Sequence, residues 1–271
     1  MMSSLFVRPL MDLLMTIRFN FERQHFLQVP ALLEKAFSSL PNVEIITEGV
    51  ADLAINSMPW LNPISGKKTV YWELDIAEIN HAGDYGFFDI VYLPSNMRKE
   101  LWTNNCKFLP MAVDFDYYHP IKKEPKHDVI FMGRMDRLFR EDYLNNLTSV
   151  GFDVLNTSAE RGLKTTEVLS EAKCSFQVSH YNNLEQRNFE YSAVVPMVLE
   201  TVPDIDSVFT ETEHYRGFKR GDYKDFERQI RWCVENQDEA LAMRDRMVKH
   251  LKENHTYIHR AKEILTDLGL K

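Results

Sequence analysis

The chain has 271 residues, of which 44% are hydrophobic and 27% are charged, and its formal net charge is −8. This composition is typical of a folded protein and excludes a mainly disordered one. The acidic excess argues against constitutive, nonspecific nucleic-acid binding, because such binding needs a basic face. Glycine occurs 10 times, and neither of the best-known glycine-rich phosphate loops, GxGxxG and GxxxxGK(S/T), is present.

Cysteine usage and hydropathy bear on the cellular compartment. The three cysteines are far apart and form no CxxC pair, and no stretch of 18 apolar residues occurs. We therefore expect a cytoplasmic protein in a reducing environment, without a membrane span.

In the first half of the chain, short apolar runs alternate with turn signals. Runs of this length, separated by helical or irregular connections, predict a parallel sheet that is buried on both faces. The predicted strands are 13–19, 43–46, 53–56, 69–74, 89–93 and 107–111, and a helix is predicted over 24–40.

Two prolines and several lysines make residues 113–126 a candidate linker, after which the pattern restarts. The repeated β-α-β order predicts an α/β fold of two Rossmann-like lobes, with parallel sheets facing a cleft. In this second half, strands are predicted over 128–132, 152–155, 174–179 and 194–199, and helices over 141–150, 165–172, 189–193, 222–236, 238–254 and 257–268.

Ligands in parallel α/β sheets bind beyond the carboxyl ends of the strands. The first candidate there is Gly133, which is followed by Arg134, Arg137 and Arg140. Glycine lets a ligand approach the backbone closely, and arginine offers a bidentate charge to phosphate. The alternative interpretation is a strand-to-helix turn with solvated arginines.

The second candidate is the polar segment 179–190, which follows a predicted buried strand. It offers a titratable His180, the donors Arg187 and Asn188, and the carboxylate of Glu190. A carboxylate near a helix start can accept hydrogen bonds from both hydroxyls of a ribose. The alternative is helix capping combined with surface charge.

The third candidate is the pair Glu73 and Asp75, which could supply a base or bind sugar hydroxyls. Polar alternation on an edge strand explains this pair equally well. The triplet Asp114-Phe115-Asp116 imitates a DxD metal motif but lies in the candidate linker, and His255 and His259 lack a third ligand nearby. We therefore expect no metal site.

Four passages resemble the group 1 glycosyltransferases of GT-B fold, particularly the branch named after the spore-maturation protein CgeB. They lie between about residue 70 and residue 268, and the last of them, similar to E-x-H-T-Y-x-H-R, is the most specific. The passages are Leu109–Asp114 with His119-Pro120, then Asp128–Arg134, Arg187–Glu190 and Glu253–Arg260.

The resemblance implies an acceptor lobe over 1–118, a nucleotide-sugar donor lobe over 119–254, and a C-terminal helix over 255–271 that crosses back onto the first lobe. It implies transfer of a sugar from a nucleotide-diphosphate sugar, with retention of configuration and without a metal or other cofactor. The acceptor stays open among a glycan, a small molecule, a protein and a DNA base.

The same resemblance assigns roles to the candidate residues. Glu190 would hold the ribose, and His180 would border the sugar. Glu73 or Asp75 would contact the acceptor or handle its proton. The diphosphate would face the remaining candidates, which are Gly133, Arg134, Arg187 and Asn188.

Two positions depart from the family pattern. Many relatives carry a glutamate eight residues before the ribose glutamate, where this chain has Asn182. The usual small-Gly-Pro passage is Ala193-Val194-Val195-Pro196 here. A catalytically silent sugar-nucleotide or glycan-binding protein is therefore one alternative, and a phage-type transferase that modifies a DNA base is another.

Overall fold

The structure is a computed structural model that describes residues 14–21, 29–57, 62–74, 85–95, 105–133, 138–158, 162–180 and 182–270. Two of the candidate residues, Asp75 and Arg134, lie outside these ranges. None of the helices described is both long enough and apolar enough to cross a membrane.

The first lobe is built on a sheet of six strands whose pairings are all parallel. Consecutive residues such as Leu53, Ala54 and Ile55 are buried, because both faces of this sheet are covered. The elements are β1 (Met15–Asn20), α1 (Val29–Ser38), β2 (Val43–Ile45), β3 (Ala51–Asn56), β4 (Gly66–Trp72), β5 (Ile90–Leu93) and β6 (Cys106–Phe108). Their order across the sheet is β2-β1-β3-β4-β5-β6.

The second lobe carries a parallel sheet of five strands, followed by three helices. Its elements are β7 (His127–Met132), α2 (Leu138–Ser149), β8 (Val154–Thr157), α3 (Leu163–Leu169), β9 (Ala172–Gln177), α4 (Gln186–Ser192), β10 (Met197–Glu200), β11 (Arg216–Phe218), α5 (Tyr223–Glu235), α6 (Gln237–Asn254) and α7 (Tyr257–Asp267). The strand order is β11-β10-β9-β7-β8. The chain order therefore reverses between β7 and β9, and such a switch point is where ligands bind in open α/β sheets.

The sequence predicted the fold class correctly: the protein has two parallel-sheet α/β lobes. Several details differ from the predicted bounds. Strand β11 was not predicted, and strand β10 is Met197–Glu200 rather than 194–199. Helix α3 begins at Leu163 rather than at Thr165 and ends before Ala172, which belongs to β9. Strand β4 pairs with both β3 and β5, so the edge-strand explanation for the residues after it is wrong.

The chain passes between the lobes twice, and the two crossings touch each other. The Val113 amide donates to the His255 carbonyl at 2.9 Å, and Val113 forms a parallel bridge with Thr256. Beyond this point α7 packs against α1 of the first lobe. The Asp267 carboxylate, at the end of α7, accepts from the Tyr92 hydroxyl at 3.1 Å and from Lys107 Nζ at 2.6 Å. The C-terminal helix thus returns to the first lobe.

A buried arginine joins the two crossings. Arg260, only 3% exposed, donates through Nε to the Pro110 carbonyl at 2.7 Å and through Nη2 to the Met111 carbonyl at 3.1 Å. Its Nη1 lies 3.4 Å from the Asn254 carbonyl, and its Nη2 lies 2.6 Å from His255 Nδ1. Burial lowers the pKa of Arg260 to about 10, so the guanidinium stays charged at neutral pH.

Replacing this arginine with methionine tests its structural weight. We expect Arg260→Met to lower the free energy of unfolding by about 3 kcal/mol or more, because buried carbonyls lose a charged donor. The matched control is Arg228→Met, whose side chain is 74% exposed in a pair with Asp225 and which we expect to cost about 0.5 kcal/mol or less. If urea titrations showed equal losses of unfolding free energy in the two variants, Arg260 would not be the residue that stabilises the junction between the two crossings.

His255 makes the same junction sensitive to acid. Its Nδ1 accepts from Arg260, so the neutral ring carries its proton on Nε2. Burial, with Arg260 and His250 as the nearest positive or ionisable neighbours, lowers the pKa of His255 to about 3. As the pH drops, His255 is protonated in the unfolded chain before it is protonated in the folded protein. The free energy of unfolding therefore falls as the pH drops from about 6.5 toward 3.

His255→Asn keeps an acceptor oxygen near the Nδ1 position but cannot titrate. Between pH 6.5 and 4.5, we expect its unfolding free energy to fall less steeply than that of the wild type, by up to about 1.4 kcal/mol per pH unit. Urea titrations across this range measure the slope, and the difference at pH 8 isolates the cost of repacking. Parallel pH profiles would contradict the neutral, buried state of His255.

Candidate functional site

The turn after β7 brings Gly133 against the side chain of Arg187. A methyl group placed on Gly133 would lie 2.8 Å from Phe131 Cζ and 3.4 Å from Arg187 Nη1. Glycine is therefore the residue that leaves both neighbours in place. The Gly133 amide donates to the Thr157 carbonyl at 3.3 Å, which ties this turn to the end of β8. Two of the sequence candidates, far apart in the chain, thus meet at the switch point.

The segment between β9 and α4 folds back on itself. The Glu185 carboxylate accepts from the His180 amide at 2.5 Å and from Gln177 Nε2 at 2.8 Å. The Ser179 hydroxyl donates to the Asn183 carbonyl and accepts from the Asn183 amide, both at 2.9 Å. These bonds hold the half-buried His180 by its backbone at the carboxyl end of β9.

Asn188 takes part in a capping box at the start of α4. Its Oδ1 accepts from the Glu185 amide at 2.7 Å, and the Glu185 carboxylate accepts from the Asn188 amide in return. The Asn188 side-chain oxygen is therefore occupied by the helix end. Its structural effect is to set where α4 begins, and so where Arg187 and Glu190 stand.

Glu190 lies one helical turn after the first residue of α4 and is 7% exposed. The side-chain nitrogen Nε2 of Gln186 donates to Glu190 Oε1 at 2.6 Å and lies 3.5 Å from the Tyr257 hydroxyl. Burial, together with the Glu190 charge, raises the pKa of the Tyr257 hydroxyl well above its usual value. A buried carboxylate therefore sits where α4 meets the start of α7.

Two further arginines lie at the carboxyl ends of β9 and β10. Arg140 is buried, not solvated, and donates to the Val178 carbonyl at 3.2 Å. Arg220 binds the buried Glu200 carboxylate through Nε at 2.7 Å and Nη2 at 3.0 Å, and its Nη2 also contacts the Ser179 carbonyl. No sequence pattern predicted the pairing of Arg220 with Glu200, because the unpredicted strand β11 brings these two residues together.

In the first lobe, Glu73 follows β4 and is buried. Its Oε1 accepts from the Leu74 amide at 3.0 Å, and its Oε2 accepts from the Tyr71 hydroxyl at 3.2 Å. Its partner in the predicted pair, Asp75, lies outside the described residues.

The acidic triplet Asp114-Phe115-Asp116, in the linker formed by residues 113–126, binds a lysine side chain. Lys35 Nζ of α1 lies 2.7 Å from Asp114 Oδ2 and 2.5 Å from Asp116 Oδ2, and 5.3 Å from the centre of the Tyr117 ring. These two carboxylates therefore neutralise the Lys35 ammonium group and attach α1 to the linker. Among the residues that the structure describes, no group of three histidine, cysteine or acidic side chains has the arrangement of a metal site.

Two parallel α/β lobes, with a helix that returns from the second to the first, define a protein of GT-B fold. The chain belongs to the glycosyl transferase-like family, whose model matches residues 120–266, just over half of the sequence. The matched region contains the second sheet, the turn at Gly133, and the helix that carries Arg187 and Glu190. No curated protein matches this chain.

Several solved structures share the fold. Anabaena Alr3699/HepE, solved in complex with UDP and glucose, aligns with a TM-score of 0.65 at 11% identity, covering 94% of this chain and 99% of that one. Phage T4 β-glucosyltransferase aligns with a TM-score of 0.57 at 14% identity, covering 94% and 98%. TarM aligns with a TM-score of 0.63 at 10% identity, covering 88% of this chain, which spans 57% of the TarM chain.

Proposed function

We propose that this protein is a glycosyltransferase that moves a sugar from a nucleoside diphosphate sugar to an acceptor. The observation that carries the proposal is the placement of Glu190. This buried carboxylate lies on α4, the helix that follows β9, three residues after Arg187 and inside the region that matches the family. Carboxylate, guanidinium and glycine turn together suit a ribose joined to a diphosphate.

Glu190 would bind the ribose hydroxyls. An ionised carboxylate has two oxygens and only accepts hydrogen bonds, so it pairs naturally with two adjacent hydroxyl donors. Gln186 Nε2 donates to Glu190 Oε1 at 2.6 Å, which helps to orient the carboxylate.

The diphosphate would lie over Gly133 beside the Arg187 guanidinium, with Arg134 added on the strength of the family resemblance. When the bond to the sugar breaks, negative charge accumulates on the diphosphate, and fixed cations stabilise it. The neighbouring Arg140 and Arg220 raise the positive potential at this edge of the sheet, although Glu200 offsets the charge of Arg220.

We propose that these cations make the transfer independent of a metal ion. We also propose retention of the sugar's configuration, for which the family resemblance is the support and Asn182 in the place of a glutamate is the departure. Asn182 is exposed and has a left-handed backbone with φ of 57°. The same loop carries a carboxylate at Glu185. That carboxylate already accepts hydrogen bonds from the His180 amide and from Gln177 Nε2.

The remaining candidate roles complete the proposal. His180 borders the donor sugar from the end of β9. Glu73 or Asp75 contacts the acceptor or handles its proton, and the Glu73 carboxylate is held for this by the Tyr71 hydroxyl and the Leu74 amide. The net charge of −8 disfavours a DNA acceptor, even though the phage T4 enzyme shares the fold. We also propose a cytoplasmic location, which the widely spaced cysteines support.

Asn182 favours a second candidate function, which is a protein that binds sugar nucleotides without turning them over. A panel of sugar-nucleotide donors separates the two functions. UDP-glucose is the first donor to try, because HepE was solved in complex with UDP and glucose. The transferase proposal expects release of UDP, undiminished by EDTA, and product of unchanged anomeric configuration by NMR. Tight donor binding without any release, in the presence of a broad acceptor mixture, would establish the second function instead.

The variant Glu190→Gln directly tests the proposed role of Glu190 in binding the ribose. The amide keeps the shape of the side chain but places a donor where the ribose hydroxyls need an acceptor. We expect UDP affinity, measured by calorimetry, to fall about 10- to 100-fold, as for loss of a charged hydrogen-bond acceptor. Glu235→Gln, at a side chain that is 61% exposed at the end of α5, is the control and should change nothing. An unchanged affinity in Glu190→Gln would show that the ribose assignment is wrong.

A further inference from the structure

One ion pair joins the carboxyl ends of β9, β10 and β11. Glu200 is the last residue of β10, and its side chain is 2% exposed. Arg220 comes two residues after β11, whose last residue, Phe218, lies opposite Glu200 in the sheet. The Arg220 guanidinium bonds both oxygens of the Glu200 carboxylate. The pair therefore lies at the edge of the sheet where His180 follows its own strand.

Both members of the pair also contact the backbone of Ser179. The Ser179 amide donates to Glu200 Oε2 at 2.9 Å, and the Ser179 carbonyl accepts from Arg220 Nη2. That carbonyl belongs to the peptide group that joins Ser179 to His180. The nitrogen of the same peptide group, the His180 amide, donates to Glu185 Oε1 at 2.5 Å. The peptide group before His180 is thus held at its oxygen by Arg220 and at its nitrogen by Glu185.

Arg220 is itself positioned by α2, the helix that follows the turn at Gly133. Its guanidinium carbon lies 5.1 Å from the centre of the Phe139 ring. The amide of the next residue, Gly221, donates to the Tyr143 hydroxyl at 2.8 Å. These contacts connect the helix after the glycine turn with the segment that follows β9.

The geometry of this pair says more than its charge does. A buried ion pair adds little net stability, because loss of hydration offsets the attraction between the charges. A guanidinium, however, is a rigid planar fork that can bond a carboxylate and a carbonyl at the same time. Arg220 uses its fork in this way, on Glu200 and on the Ser179 carbonyl. The consequence is a fixed orientation of the backbone that leads into His180.

We propose that Glu200 and Arg220 are positioning residues, which fix the peptide group before His180 and so set where His180 meets the donor sugar. This inference rests on the proposed function, in which His180 borders the sugar while other residues bind the nucleotide. Loss of the pair therefore weakens recognition of the sugar and spares the nucleotide, and this loss depends on the presence of His180.

The test compares UDP-glucose with UDP by calorimetry, using the double variant Glu200→Gln/Arg220→Met. This variant removes one charge of each sign, so the net charge near the diphosphate is unchanged, and the new amide oxygen can still accept from the Ser179 amide. We expect the affinity for UDP-glucose to fall about tenfold and the affinity for UDP to stay the same. In a His180→Ala background, the double change should cause no further loss.

Arg216→Met is the matched control. Arg216 lies at the amino end of β11, the strand that precedes Arg220, and donates through Nε to Gln229 Oε1 at 2.8 Å. It is therefore an arginine of the same strand whose side-chain bond is made at the opposite edge of the sheet. Its replacement should leave the affinities for UDP-glucose and UDP unchanged.

The outcomes separate the inference from the proposed function. If the double variant weakens both ligands equally, weakens neither, or acts equally with and without His180, the inference is overturned and the proposed function stands. If the wild type binds none of UDP-glucose, GDP-mannose and dTDP-glucose, the proposed function itself fails. If it binds only one of the last two, that sugar nucleotide and its nucleoside diphosphate replace the uridine pair.

A second variant decides the question if the double variant does not fold. Arg220→Lys keeps a positive charge beside Glu200 but has no fork to bridge the carboxylate and the Ser179 carbonyl. The inference expects the same selective loss of UDP-glucose affinity in Arg220→Lys. Wild-type affinity for both ligands in this variant would overturn the inference.

Discussion

The architecture depends on one buried guanidinium. Arg260 bonds to backbone carbonyls on both segments that pass between the lobes, and no flexible connection would hold those segments at a fixed spacing. A buried charge of this kind is costly unless its donors are satisfied, and the Pro110, Met111 and Asn254 carbonyls together with His255 provide that satisfaction. The two crossings therefore behave as a single structural unit, and the lobes are arranged around it.

That unit is connected to the candidate site through Tyr257. Tyr257 directly follows Thr256 of the second crossing, and its hydroxyl lies 3.5 Å from Gln186 Nε2, which donates to the Glu190 carboxylate at 2.6 Å. Binding of a nucleotide at Glu190 would therefore act on the same segments that set the relation between the lobes. In enzymes whose lobes close on a substrate, such contacts link occupancy to closure.

Several arginine side chains lie near the switch point of the second sheet. Arg187 stands against Gly133, while Arg140 and Arg220 are fastened to carbonyl groups at the ends of the neighbouring strands. The motifs GxGxxG and GxxxxGK(S/T) do not occur in the sequence, and in the proposed site side-chain cations would take the place of a cradle of backbone amides. The acidic character of the whole chain says nothing about this local field.

Sequence patterns predicted the features that are local. Apolar runs located every parallel strand except β11. The helix predicted over 189–193 includes Glu190 but not Arg187, whereas the structure begins α4 at Gln186 and so places both on it. The features that were missed depend on contacts between distant residues. Arg260 bonds to a carbonyl 150 residues earlier, and its motif carries no sign of that partner. The Asp114-Phe115-Asp116 triplet could not be interpreted without the fold, because its partner Lys35 comes from the other end of the first lobe. Asp75 and Arg134 stay predictions.

The most direct measurement is a crystal structure of the full chain soaked with UDP. The account predicts ribose hydroxyls within hydrogen-bonding distance of the Glu190 carboxylate, and the diphosphate over Gly133 beside the Arg187 guanidinium. A nucleotide bound with its ribose away from Glu190, or at another edge of either sheet, would contradict it.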